Sequence, residues 1–114
     1  MVPIHRIQSL PQAIAALTAA AARGEEALLL SAPQAVRSLG AGGFLALIQA
    51  ARAEVPQAHC LAVLDCGSAP GLAMAAMRLG LAVRVEAPLQ TLDKLRQMGG
   101  RVFADDELLL EERG

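Results

Sequence analysis

Aromatic residues are nearly missing from this chain of 114 residues, which has two phenylalanines, Phe44 and Phe103, and no tryptophan or tyrosine. Without aromatic faces there is no platform for stacking bases and no cage for a quaternary cation. The core has to be built from Leu, Val, Ile and Ala instead. Charge of either sign is sparse as well: charged residues make up 18% of the chain, the ten basic ones are scattered singly from Arg6 to Arg113, and the formal net charge is -1. Such a balance leaves no basic footprint for nucleic acid. No apolar run reaches the roughly 18 residues of a membrane span. His5 and His59 stand on different segments without HxH or HExxH spacing, so no zinc site is expected.

Cysteine is limited to Cys60 and Cys66. Both fall on one expected strand, where equal parity puts them on one face but beyond disulfide reach. They are expected to be buried free thiols in a reducing compartment. Activating Cys66 as a nucleophile would need a neighbouring base or cation.

What the chain has in quantity is aliphatic surface. The hydrophobic fraction is 54%, which excludes a disordered chain and, at this length, gives one domain able to bury about two-thirds of its unfolded surface. So apolar a composition on so small a domain points to surface left over for a second copy, hence a homodimer. His5-Arg6 ahead of the alanine-rich segment Ile14 to Ala22 imitates a short signal peptide. Ser9 with Gln12 three residues on forms a capping box, however, and Pro11 lies in the first turn, so the segment reads as an ordinary amphipathic helix. A cytoplasmic location is expected.

Read in order, Val2 to Ile7 is a strand, Leu10 to Arg23 a helix ending at Gly24, and Glu26 to Ser31 a strand buried on both faces and stopped by Pro33. Gly40, Gly42 and Gly43 interrupt the next helical region, giving a short turn of helix, a loop, and a main helix from Phe44 to Ala53. That glycine turn lacks the Walker lysine and spacing needed to cradle a phosphate. The strand His59 to Asp65, helix Pro70 to Leu79, strand Ala82 to Glu86, helix from Pro88 to Met98 and strand Arg101 to Ala104 follow. Asp105-Asp106-Glu107 then caps a terminal helical turn containing Leu108 to Leu110. The pattern predicts a single three-layer α/β domain with a mostly parallel sheet of four to five strands and helices on both faces. It is Rossmann-like or flavodoxin-like, with half of a (βα)8 barrel as the alternative.

In such folds ligands sit outside the carboxyl ends of the strands. Ser31, Asp65, Ser68, Glu86 and Asp105 occupy those ends, with Gln8 a further candidate: three carboxylates, two hydroxyls and no Lys, Arg or His. The carboxylates are spread over three loops without a calcium-loop pattern, so no metal is expected. Leu61 to Asp65 runs as an aliphatic strand into Cys66-Gly67-Ser68-Ala69-Pro70-Gly71, a glycine turn opening a helix, where backbone N–H groups hold anions in many α/β proteins.

This turn resembles motif I of S-adenosylmethionine-dependent methyltransferases, particularly the ribosomal RNA type, whose loop follows an aspartate-x-glycine-x-alanine-proline-glycine pattern. The resemblance implies that Asp65, Gly67, Ser68 and Gly71 border a cofactor, that Gly67 and Gly71 admit it close to the backbone, and that Glu86 binds its ribose. Asp105 or Asp106 would match the acid after the family's third strand. It covers Leu61 to Asp106 and omits the family's later strands, so it implies a cofactor-binding fragment rather than a complete enzyme. Gly67 to Gly80 is also similar to the turn and alanine-rich helix of keto-deoxy-phosphogluconate aldolases. Their Schiff-base lysine stands on a strand, whereas Lys94 stands on an expected helix. Three functions stay open: a non-enzymatic binding or interaction module, a fragment binding a nucleotide or S-adenosylmethionine at the strand ends, and a small enzyme using Asp65 or Glu86 as acid or base.

Overall fold

Ser9 starts the first helix as expected. Its Oγ accepts the backbone N–H of Gln12 at 3.3 Å, while the Gln12 side chain accepts the N–H of Gln8 at 2.6 Å. One orphan donor of the helix end, the Gln12 N–H, and the N–H of the residue before the cap are thus satisfied by local side chains. The computed structural model describes residues 2–104 and 108–110. It contains β1 (Val2–Arg6), α1 (Leu10–Ala22), β2 (Ala27–Leu30), α2 (Ala35–Ser38), α3 (Gly40–Glu54), β3 (Cys60–Asp65), α4 (Pro70–Arg78), β4 (Ala82–Arg84), α5 (Leu89–Gln97), β5 (Val102–Phe103) and β6 (Leu108–Leu110).

These elements make one α/β domain around a wholly parallel sheet, in the order β5-β4-β3-β2-β1-β6. Five strands are those expected. The sixth corrects the sequence reading, because Leu108–Leu110 is not a helical turn but a strand paired with β1, Val2 against Leu108 and Ile4 against Leu110. Backbone pairing on the free edge of β1 outweighs the local pull of the acidic run before it, whose residues 105–107 lie outside the described ones. A second correction concerns the glycines. Gly40, Gly42 and Gly43 form the first turn of α3 rather than a loop, since alanine and leucine around them carry the helix through. Phe44, the first residue of the main helix expected there, is among the largest fully buried side chains.

From β1 to β5 the strands are neighbours in chain order, with no reversal. Of the layouts the sequence left open, that is the order of a segment of a (βα)8 barrel. Right-handed crossovers that always step the same way lay their helices along the same side. Accordingly, Leu17, Phe44, Ile48, Ala73, Ala76, Leu92 and Leu95 of the helices share one buried cluster with Leu29, Leu64, Val83 and Val102 of the strands. Strand residues of the other parity, Ile4, Leu30, Val63 and Ala82, form a second cluster with Leu28, Leu61 and Phe103; among the described residues no helix enters it.

The sheet is also curved. Phe103 and Leu108 stand on its opposite edges, yet five Cα steps reach at most about 18 Å. Laid flat, the five spacings between those edge strands would come to about 24 Å. The edges are therefore drawn toward each other.

Candidate functional site

The end of the sheet where the strands terminate is built around Asp65. It closes β3, its side chain is nearly covered, and both of its carboxylate oxygens are in use. Oδ1 accepts the backbone N–H of Gly67 at 2.9 Å, and Oδ2 accepts from the Arg6 guanidinium at 3.3 Å. Arg6 reaches across β2 from the end of β1, and the same nitrogen donates to the carbonyl of Ser31 at 2.8 Å. Ser31 is buried just past β2. Its Oγ accepts the backbone N–H of Asp65 at 2.8 Å and donates to the carbonyl of Ala32 at 3.2 Å. Three successive strand ends are thus tied by one polar network, in which a partly buried charge pair is completed by hydrogen bonds to backbone.

Arg6 is the member that sequence reasoning missed, and it corrects the picture of strand ends without a cation. The signal lay in strand parity: Arg6 pairs with Leu30 and Leu30 with Val63, two residues before Asp65 on the same side of the sheet. An Arg ending the first strand therefore stands near an Asp ending the third.

Gly67 has φ +53, a left-handed conformation that side chains disfavour, and a Cβ there would lie 2.9 Å from Cγ of Gln34. Gln34 has φ 53 itself, just before α2. The Gly67 carbonyl accepts the backbone N–H of Glu86 at 2.7 Å, so the two loops are joined. Glu86 lies beyond the end of β4 with its side chain exposed, and Ser68 and Gly71 are exposed as well. Ala69 precedes α4 without a side-chain cap, and the space where a Gly71 Cβ would stand is open. Gly67, Ser68, Gly71 and Glu86 are thus brought to one surface, while Asp65 is turned to internal use. Asp105 and Asp106 lie outside the described residues.

Cys66 follows Asp65 and is buried. Burial, reinforced by the adjacent Asp65 carboxylate, pushes its thiol up to about 12, so it stays protonated and lacks the nucleophilicity of a thiolate at neutral pH. Burial likewise raises Cys60, with Arg52 opposing and Glu26 adding to the shift. Among the described residues no group of three or more His, Cys, Asp or Glu side chains gathers to hold a metal ion, and no helix is long and apolar enough to cross a membrane.

A small pocket of about 160 Å³ opens at this end between the β1 and β2 exits and α2–α3, lined by Ile7, Gln8, Ser31, Leu39, Phe44 and Leu47 among others. That volume is close to the cavities known to hold a single benzene ring. Comparison with known proteins gives no match to any family model and none to any curated protein sequence.

Proposed function

We propose that this protein is a non-enzymatic interaction module that associates with a second copy through the end where its strands terminate. The observation that carries the reading is where the exposed leucines fall. Leu10 opens α1, Leu39 stands between α2 and α3, Leu72 lies in the first turn of α4 and Leu89 opens α5, and all four are exposed, Leu89 to 67%. In a parallel α/β sheet these helix starts share one end of the molecule, so four consecutive loops each present an aliphatic side chain there. Scattered single leucines are ordinary on a surface, whereas apolar residues gathered on one face mark contact sites. The groups best suited to chemistry at that end are otherwise engaged. Asp65 holds the loops together and the Cys66 thiol keeps its proton.

Sedimentation velocity on the full chain tests this. A reversible dimer is expected between about 10 µM and 1 mM. Leu72→Ser with Leu89→Ser is expected to weaken it about a hundredfold or more, since burying each leucine is worth about 1.5–3 kcal/mol. Leu79→Ser, at the opposite end, is expected to leave it unchanged. A monomer throughout that range overturns the proposal.

A second reading, a fragment binding a nucleotide or S-adenosylmethionine, is supported by the joining of the Gly67 and Glu86 loops beside the open, uncapped start of α4. Calorimetry with millimolar S-adenosylmethionine is then expected to give heat that Glu86→Ala removes. Absence of both heat and thermal shift eliminates it.

A further inference from the structure

At the opposite end of the molecule, α4 and α5 finish beside the beginnings of β4 and β5 and leave a pocket of about 380 Å³, within the size range of small-molecule sites. Its wall is largely aliphatic and thioether: Leu61, Met77, Leu81, Ala82 and Met98. At the rim stand Arg78 and Arg101, both exposed. Among the described residues neither guanidinium has a hydrogen-bond or ion-pair partner, and no carboxylate lines the pocket.

We propose that this pocket binds a small amphipathic carboxylate, with its aliphatic body against Met77, Met98 and Leu61 and its head on Arg78 and Arg101. A guanidinium offers a planar fork of donors that matches a carboxylate, and methionine adapts its shape to aliphatic ligands. The carbonyls at the two helix ends do not repel the head strongly, because they are already capped. The Ala76 carbonyl accepts from Leu79 and Leu81, that of Met77 from Gly80, that of Leu95 from Met98 and that of Arg96 from Gly99. What remains of the helix dipoles opposes an exposed anion only weakly and is outweighed by charge-assisted hydrogen bonds from the two guanidinium groups.

Gly100 supplies an independent handle on the pocket. A Cβ at Gly100 would lie 2.6 Å from the terminal methyl of Met77, the mobile end of a flexible side chain, so Gly100→Ala costs the fold little and takes volume from the cavity.

The test is a titration of the full-length protein, labelled on its methionine methyls, with sodium octanoate and in parallel with 1-octanol, read by NMR. Octanoate is expected to shift the Met77 and Met98 methyls saturably, with a Kd below about 1 mM, and to leave Met74 in place. Arg78→Gln with Arg101→Gln is expected to weaken octanoate about tenfold or more while 1-octanol is unaffected; Gly100→Ala is expected to weaken both. Unshifted Met77 and Met98 methyls, or an octanoate affinity unchanged in the double arginine variant, overturn the proposal.

Discussion

Asp65 illustrates how one side chain serves two structural purposes that substitution can separate. Asp65→Asn keeps an oxygen for the Gly67 N–H but loses the charge that faces Arg6, and is expected to lower stability by about 1 kcal/mol. Asp65→Ala loses both and leaves the Arg6 charge half-covered, for about 2–3 kcal/mol. Urea unfolding of the two variants measures the difference, and equal losses would contradict the division. Next to it, Cys66 gives the fold a pH dependence with a definite sign. Its proton is held more tightly in the folded state than at the ordinary value of 9.0, up to about 12. The stability this represents is complete below pH 9 and lost as the pH rises toward 12. Urea midpoints are expected to fall more steeply over that window in the wild type than in Cys66→Ala, and parallel curves would refute the assignment. Asp65 and Gly67 could be picked out from the sequence because the turn signals itself locally. Arg6 and Gln34 could not without strand order and register, since their importance comes from partners 59 and 33 positions away.

Among the elements, the legible ones are those with strong local punctuation. α1 begins at its Ser9 cap, α4 at Pro70, and β3 appears as an unbroken aliphatic run, because caps, prolines and hydrophobic runs act within a few residues. The start of α3 was obscured because Gly40, Gly42 and Gly43 say loop by propensity while the packing of Phe44 and Ile48 keeps the segment helical. That conflict leaves a stabilising substitution available. Gly42 lies in the first turn with open space where a Cβ would stand and carries no positive φ, so Gly42→Ala is expected to add about 0.5–1 kcal/mol. A thermal midpoint that does not rise would show that this turn is frayed in the folded state. β6 was illegible for a different reason: three leucines suit helix or strand alike, and only the open edge of β1 decides between them.

For the whole molecule, alternation of strands and helices was enough to announce a parallel α/β sheet, since short connections force crossovers. Strand order was beyond such a reading, because each βα unit looks the same locally whichever way the next one steps. The distribution of surface character followed from that order: four exposed leucines at one end, and Leu79 beside a thioether pocket with two arginines at the other. The pairing of Val2–Ile4 with Leu108–Leu110 also carries a kinetic meaning. Its partners are about a hundred residues apart, so the entropy of closing that loop must be met before the contact returns anything, whereas β1 to β5 assemble by neighbour-to-neighbour steps. The chain is expected to fold as a growing row of βα units and to zip its last strand onto its first only when the row is complete. In pulse-labelled hydrogen exchange, amides of β2 and β3 are expected to gain protection before those of residues 108–110; simultaneous protection would show that closure belongs to the folding nucleus instead.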